Sequence, residues 1–187
     1  MEPHVRICGT TLRDGEQTPG GCIEVEDNVR VAQALEAFGV DTMETGTPAF
    51  PPGDAEVAAT IARAVRGGQV IRLVLDVTAV QRERRLGFTR SRVIRAIETT
   101  VACARQSAAQ VHLTLEGVAD TDPIFVRQCA ETAVDAGATH VHVTDPANGA
   151  CSGASRALAH DMAVFLEGRA DVSAHAACTP EPAAATA

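Results

Sequence analysis

The residues best suited to chemistry lie together near the amino terminus, in the run Arg13-Asp14-Gly15-Glu16-Gln17. Asp14 offers hard carboxylate oxygens for a divalent cation, and Arg13 offers fixed donors to a developing oxyanion such as an enolate. Gly15 lets the chain turn, while Glu16 and Gln17 extend the polar reach of the segment. This set predicts a site that chelates a 2-oxo acid on a metal and stabilises an enolate beside it.

The composition excludes several classes of enzyme and of binding site. All 16 basic residues are arginine, and the 187-residue chain contains no lysine. A Schiff-base aldolase, a pyridoxal phosphate enzyme and a Walker phosphate loop each need a lysine, so all three are excluded. The net charge of −8 argues against a nucleic-acid partner. Carbon–carbon chemistry would therefore need a metal or another electron sink.

Targeting signals and cysteine spacing indicate the cellular compartment. No apolar run approaches the ~18 residues that would span a bilayer, and the first residues lack the basic and apolar regions of a signal peptide. We therefore expect a cytoplasmic protein without a membrane partner. The six cysteines include no C-x-x-C pair, which favours buried reduced thiols over disulfides.

Short apolar runs alternate with helical patterns along the chain. Strands are predicted at residues 5–12, 40–44, 70–77, 110–116, 139–144 and 171–175. Helices are predicted at residues 26–38, 54–66, 89–107, 122–136 and 155–166, the third with a start at Thr89 or Ser91. Because parallel strands need crossover helices, the alternation predicts an α/β fold with a parallel sheet, either a (β/α) barrel or an open doubly wound sheet.

Charged or polar side chains stand at the end of every predicted strand. They are Arg13-Asp14, Glu44, Asp76, Glu116, Asp145 and His175. In a (β/α) barrel the active site lies at the carboxyl ends of the strands, so these side chains would converge on one mouth. Turn-forming and helix-capping roles are the competing interpretation, above all for Asp76 and Asp145.

Longer motifs around these strand ends resemble one enzyme family. Residues 9–20 (GTTLRDGEQTPG) resemble the D-T-T-L-R-D-G-E-Q-x-P-G opening of the 2-isopropylmalate, homocitrate and citramalate synthases, metal-dependent barrel enzymes related to HMG-CoA lyase. Further segments resemble the family at residues 39–48, 84–90, 115–123 and 136–145. The resemblance implies an incomplete (β/α) TIM-type barrel with about six parallel strands over residues 1–178. The tail at residues 179–187 has no core-forming residues and is expected to be disordered.

The resemblance also implies roles for individual residues. By this likeness the catalytic residues are Arg13, Gln17 and Glu116, the substrate-binding residues are Glu44 and Asp145, and the metal ligands are Asp14 and His175. It further implies a divalent metal (Zn, Mn or Mg) and acetyl-CoA as the co-substrate of a small-molecule 2-oxo acid. The reaction expected from the family is a Claisen-type condensation of these two compounds by an acyltransferase of amino-acid biosynthesis.

The chain departs from the family pattern in several places. The second histidine of the family's H-x-H metal pair falls at Ala177, and Cys178 comes one position too late to replace it. One strand–helix unit is missing before Val70, and no eighth strand is expected. Three hypotheses stay open: an acyltransferase, an HMG-CoA lyase-like enzyme, and an inactive remnant or half-barrel. Exposed sheet edges would favour a homodimer or a completing partner chain.

A second candidate site lies within one predicted strand. His140 and His142 are two positions apart and share a strand face, an H-x-H that could hold zinc. Val141 and Val143 point to the opposite face of the same strand. A packed or surface histidine pair is the competing interpretation.

Overall fold

The computed structural model describes residues 5–15, 24–45, 54–65, 70–145 and 152–176, and the side chains of most of them. Its strands are β1 (Cys8–Gly9), β2 (Thr42–Thr45), β3 (Val70–Asp76), β4 (Gln110–Glu116), β5 (His140–Asp145) and β6 (Asp171–Ala176). Its α-helices are α1 (Thr11–Asp14), α2 (Val25–Ala37), α3 (Asp54–Ala64), α4 (Arg90–Arg105), α5 (Pro123–Asp135) and α6 (Ser152–Leu166). A π-helix at Val80–Arg85 precedes α4. The predicted tail at residues 179–187 lies outside the described residues.

The six strands form one parallel sheet in the order β1-β2-β3-β4-β5-β6. The predicted parallel α/β architecture is therefore confirmed. Neighbouring strands follow one another in the chain, as in a (β/α) barrel, and among the described residues β1 and β6 do not pair to close the sheet. β2 pairs directly with β3, with Thr42 opposite Val70, so the sheet is continuous at the point where the missing strand–helix unit is predicted.

The first strand is much shorter than predicted. The prediction of a strand over residues 5–12 is wrong beyond Cys8–Gly9, because the chain turns into the short helix α1. The amides of Arg13 and Asp14 donate to the carbonyl oxygen of Thr10 at 3.0 and 2.8 Å instead of to a neighbouring strand. Since β1 is an edge strand that pairs only with β2, its backbone has one ladder to satisfy and can leave the sheet early.

The structure confirms two helix starts that the sequence predicted. Asp122 caps α5, where its Oδ1 accepts a hydrogen bond from the Ile124 amide at 3.0 Å, and Pro123 takes the first helical position. Thr89, of the two candidates, caps α4, with its hydroxyl accepting from the Arg92 amide at 3.2 Å.

The two faces of the sheet differ in chemistry. Every second residue of the central strands packs under the helices, and these side chains are buried apolar groups, among them Ile71, Leu73, Leu75, Val111, Leu113, Leu115, Val141 and Val143. They meet Ile97 and Val101 of α4 and Phe125 of α5 in one hydrophobic core. The alternate residues face the inside of the curved sheet. Apart from Val70 and Val74 of β3 they are charged or polar, among them Glu44, Arg72, His112, Thr114, Glu116, His140, His142 and Thr144. The inner face of the sheet therefore carries the candidate functional groups, and the outer face packs into the hydrophobic core.

The described cysteines differ in burial. Cys129 is buried in the core, as predicted, and burial raises the pKa of its thiol to about 12. Cys103 is partly buried, whereas Cys8 on β1 is exposed, which corrects the expectation of buried thiols for that residue. Cys22, Cys151 and Cys178 lie outside the described residues. None of the helices in the described part of the chain is both long and apolar enough to cross a membrane.

Candidate active site at the carboxyl ends of the strands

Arg13 is the centre of a charged cluster at the mouth of the sheet. Its Nε donates to Oε2 of Glu44 at 2.9 Å, and its NH2 lies 3.0 Å from Oδ1 of Asp14. Its NH1 lies 3.7 Å from Oε1 of Glu116. Strands β2 and β4 end at this edge and α1 follows β1 there, so the topology brings the three carboxylates around one guanidinium. The sequence predicted this convergence from the polar strand ends.

Glu44 holds Arg13 in place. Its side chain is only 9% exposed, and its second oxygen, Oε1, accepts a hydrogen bond from NH1 of Arg72 at 3.2 Å. Both carboxylate oxygens are thus occupied by guanidinium groups. Two guanidinium groups therefore compensate the negative charge of this buried carboxylate. This geometry suits a residue that orients Arg13 rather than one that receives a substrate directly.

Glu116 pairs more loosely with Arg13 than Glu44 and Asp14 do. It ends β4 and is partly buried, and its Oε1 lies 3.7 Å from NH1 of Arg13. Burial, aided by the nearby carboxylates of Asp76 and Glu44, raises the pKa of Glu116 even though Arg13 opposes the shift. A carboxyl group whose pKa is raised holds a proton more readily than an ordinary carboxyl group, which is a property of general acids and bases. Glu116 therefore has the properties of a general acid or base.

The structure describes some of the other predicted site residues, and of two of them only the backbone. Asp14 is half-exposed and lies against Arg13, whereas Gln17 lies outside the described residues. The backbones of Asp145 and His175 lie at the carboxyl ends of β5 and β6, with His175 opposite Thr144, but their side chains are not described. Their predicted roles stay predictions. Asp76 bonds the amide of Thr78 at 2.9 Å, a local turn contact that fits the structural role weighed for it.

Gly117 fixes the backbone directly after Glu116. It adopts φ +69°, and a Cβ there would lie 2.2 Å from Cγ2 of Thr78. Gly87 has a similar φ of +62° with open space around it. We expect Gly87→Ala to lower the free energy of unfolding by about 1–2 kcal/mol through φ alone, and Gly117→Ala to add roughly 1–3 kcal/mol of steric cost. Urea denaturation of both variants checks this, and equal losses would show that the contact with Thr78 is unimportant.

The HMGL-like family model matches this chain at residues 4–73 and again at residues 61–177. These two stretches together include all of the described residues. The chain belongs to the HMGL-like family. The two matches share residues 61–73, so the same segment aligns twice. The loss of one strand–helix unit before Val70 stays a prediction.

Known relatives support this assignment. The 2-isopropylmalate synthase of Listeria monocytogenes serotype 4a (strain HCC23) is 31% identical in an alignment 166 residues long, which covers 75% of this chain and 32% of that protein. The corresponding synthase of Staphylococcus epidermidis (strain ATCC 35984) is 29% identical over 170 residues, covering 78% of this chain and 33% of that protein. The chain thus spans about a third of the length of the curated relatives it matches.

Solved structures identify the fold. The hydroxymethylglutaryl-CoA lyase of Pseudomonas aeruginosa superposes with a TM-score of 0.59 at 23% identity, covering 91% of this chain and 67% of the lyase. The HMG-CoA lyase of Bacillus subtilis gives the same TM-score at 17% identity, covering 97% and 71%. Six parallel strands in sequential order, aligned with about two thirds of these chains, make this an incomplete (β/α) barrel, as the resemblance implied.

The ligands that the divalent metal of the HMGL-like family would need are only partly present at this mouth. Catalytic metal sites in proteins commonly use three protein ligands. Asp14 offers a carboxylate, but its Oδ1 lies against Arg13 at 3.0 Å. His175 is the only histidine of the family's pair that the sequence retains, since position 177 is alanine. The residues of this chain therefore do not fit a complete family-type metal site.

A group of histidines on the inner face extends the predicted H-x-H. His140 and His142 face the same side of β5, while Val141 and Val143 are buried on the other, as expected. Sequence reasoning missed His112 of β4, whose Cα is paired with that of His140. The sequence does carry a signal for it, because a histidine between Val111 and Leu113 of an alternating strand must face the polar side.

The protonation of these histidines should make stability depend on pH. Burial, assisted by positive neighbours that include Arg72, lowers the pKa of His112 to about 4 and that of His142 to about 3. In the unfolded chain these histidines take up protons below the ordinary histidine pKa of about 6.5, whereas in the folded chain they stay neutral to a lower pH. The contribution of the neutral histidines to the free energy of unfolding is therefore fully present above pH 6.5 and is lost as the pH falls toward 4.

We expect the free energy of unfolding to drop by on the order of 2–3 kcal/mol between pH 7 and pH 4.5 through these two histidines. Other groups titrate in the same range, so the measurement is a comparison of variants in metal-free buffer. The double variant His112→Gln/His142→Gln should have a flatter stability profile than the parent. The exposed His160 of α6 gives the control, since His160→Gln should keep the parent's slope. Identical slopes for all three proteins would contradict the expectation.

Proposed function

We propose that this chain provides the enolate-stabilising half of an HMGL-like active site that forms carbon–carbon bonds, condensing acetyl-CoA with a 2-oxo acid. The observation that carries the proposal is the position of Arg13. It lies at the carboxyl ends of the strands within the T-L-R-D-G motif, and Glu44 holds it through Nε at 2.9 Å. Its NH1 and NH2 face the more exposed carboxylates of Glu116 and Asp14.

The reaction makes two demands on the chain's own residues. Loss of a proton from the acetyl-CoA methyl group gives an enolate, whose carbon attacks the keto carbon of the 2-oxo acid. The resulting alkoxide takes up a proton, and water then cleaves the thioester to release free CoA. Arg13 would stabilise the negative charge on the enolate oxygen with preorganised donors. Glu116, 3.7 Å from Arg13 and with a raised pKa, would carry a proton at the same mouth.

Cleavage of a carbon–carbon bond is a second candidate. The same enolate arises when a 3-hydroxyacyl-CoA is broken in the reverse direction, so Arg13 and Glu116 would serve either reaction. The relatives matched by sequence are named 2-isopropylmalate synthases, which favours condensation. The structures aligned with this chain are named HMG-CoA lyases, at identities that bear on fold alone.

A half-barrel that acts only with a completing chain is the third candidate. Two observations favour it: the ligand set at the mouth is incomplete, and strands β1 and β6 are the unpaired edges of the described sheet. Unpaired parallel edges are surfaces for association. A homodimer or a second chain of the same family could supply strands and metal ligands at these edges.

Two assays on the purified protein separate the candidates. In the first, free thiol is measured with acetyl-CoA, a panel of 2-oxo acids and Mg²⁺, Mn²⁺ or Zn²⁺. In the second, acetyl-CoA is measured after incubation with 3-hydroxy-3-methylglutaryl-CoA. Thiol release that requires a 2-oxo acid supports condensation, and acetyl-CoA formation without thiol release supports cleavage. Thiol release without any 2-oxo acid would be plain hydrolysis and would contradict both. Inactivity in both assays would leave the half-barrel, which light scattering with and without a candidate partner tests.

A further inference from the structure

We propose that His112, His140 and His142 bind one divalent transition-metal ion on the inner face of the sheet. One nitrogen from each ring lies within 4.8 Å of the others. The cluster lies toward the amino-terminal half of β4 and β5. His112 precedes Glu116 by four residues of β4, so the site is roughly 13 Å from the mouth. It is thus separate from the cluster around Arg13.

The distance between two of the rings suits a shared metal. Nε2 of His142 lies 3.3 Å from Nδ1 of His112. Two imidazole nitrogens bound to one tetrahedral zinc at 2.0–2.1 Å lie about 3.3–3.4 Å apart. The same distance fits a hydrogen bond between neutral rings, so the partners of the remaining nitrogens become decisive.

Each of these two rings has an oxygen partner at its other nitrogen. Nε2 of His112 lies 3.4 Å from the amide oxygen Oε1 of Gln110, which can only accept. The proton of His112 therefore belongs on Nε2, and its Nδ1 lone pair faces His142. Nδ1 of His142 bonds the hydroxyl of Ser173. With that nitrogen as the donor, both facing nitrogens carry lone pairs, an arrangement that a cation stabilises. Partners of this kind commonly orient metal-binding histidines.

Three paired strands hold the ligands rigidly. His112 is opposite His140 in the register of β4 and β5, and His142 is opposite Ser173 in that of β5 and β6. The rings of His140 and His142 stack with centroids 4.1 Å apart at 12°, and Nε2 of His140 lies 3.2 Å from the Ser173 hydroxyl. Ligands on strands lose little freedom on binding, so the site is largely preorganised.

The donor set indicates the class of metal. Three imidazoles with a free fourth position suit Zn²⁺, Co²⁺, Ni²⁺ or Cu²⁺, whereas Mg²⁺ and Ca²⁺ need oxygen ligands. Arg72 is close enough to act on the charge of His112 and His142, which disfavours a cation, but Asp171 acts in the opposite sense on His112. The charge of Arg72 is also offset by Glu44 at 3.2 Å.

Metal titration of the full chain tests the site. After EDTA treatment and buffer exchange, Zn²⁺ is titrated by calorimetry, and Co²⁺ by visible absorption, whose intensity reports four-coordinate geometry. We expect one ion per chain, with affinity reduced at least 100-fold in His142→Gln and about 10-fold in Ser173→Ala. His160→Gln, on the exposed surface of α6, should bind as the parent does.

Two variants distinguish this site from the mouth and from a folding defect. Asp14→Asn alters the mouth alone and should leave zinc binding unchanged. Ser173→Ala changes no ligand, so a reduced affinity with an unchanged circular dichroism spectrum cannot come from unfolding. The proposal is overturned if the parent binds no stoichiometric Zn²⁺ or Co²⁺, if His142→Gln and Ser173→Ala both bind as tightly as the parent, or if Asp14→Asn abolishes binding. Because none of these outcomes requires turnover, the result is independent of the proposed condensation.

Discussion

Replacing Arg13 with methionine should lower turnover by about 10²–10³-fold, whichever direction of carbon–carbon chemistry the parent protein catalyses. Methionine keeps an unbranched chain of similar length but removes every donor. Losing a preorganised donor to a developing oxyanion typically costs this much in rate. The loss should fall on kcat rather than on KM, because the negative charge is larger in the transition state than in the bound substrate. Steady-state kinetics with the active substrate pair measures it.

A matched arginine on the surface provides the control. Arg30 of α2 is 77% exposed and pairs only with Asp27 on its own helix among the contacts of the described chain. Arg30→Met should keep the parent's kcat and KM. If Arg13→Met retained turnover within a factor of three, the guanidinium would have no part in the chemistry and the proposed role would be wrong.

Replacing Glu44 with glutamine should lower the free energy of unfolding by about 2–4 kcal/mol. The carboxylate is 9% exposed and receives one guanidinium on each oxygen, at 2.9 Å from Arg13 and 3.2 Å from Arg72. Glutamine preserves its shape but removes the charge, so two partly buried arginines lose their shared counter-ion. Their residual exposure, 22% and 23%, allows some solvation and keeps the loss within this range. Urea denaturation followed by circular dichroism gives the value.

An exposed ion pair is the proper comparison for this effect. Asp27→Asn removes the acidic partner of Arg30 at the surface of α2, where such a pair contributes about 0.2–1 kcal/mol. A loss for Glu44→Gln no larger than that for Asp27→Asn would show that the buried cluster contributes nothing special to stability. A smaller catalytic loss in Glu44→Gln than in Arg13→Met would further assign Glu44 to positioning and Arg13 to chemistry.

The central strands could be predicted well because their alternating residue pattern agrees with their position in the middle of the sheet. The strand predicted at residues 110–116 is β4 as observed, and the one predicted at residues 70–77 ends only one residue late. Both have neighbours on each side, so their alternating pattern is satisfied along the whole length. At the edge, by contrast, β1 ends at Gly9, because the motif that follows forms a helical turn. Residue pattern alone does not tell a strand from a turn when only one neighbour is present.

The candidate site could be predicted where it depends on strand ends and not where it depends on register. Arg13, Glu44 and Glu116 meet because the carboxyl ends of parallel strands meet, which the alternation of elements already implies. The contact of Arg72 with Glu44 and the approach of His112 to His142 depend on which residue of one strand lies opposite which residue of the next. That register is set by packing across the whole sheet, and no local motif encodes it.

The most direct measurement of the central claim is the binding of an enolate-like anion at Arg13. Oxalate is a small planar dianion whose oxygens present negative charge to a guanidinium, as the oxygen of the acetyl-CoA enolate would, and calorimetric titration reports its affinity without any need for turnover. We predict that the parent and Arg30→Met bind one oxalate per chain with equal affinity, and that Arg13→Met binds it at least 10-fold more weakly, the loss expected for a hydrogen bond to a charged group. Equal affinity in the parent and Arg13→Met, or no binding to the parent at all, would contradict the account.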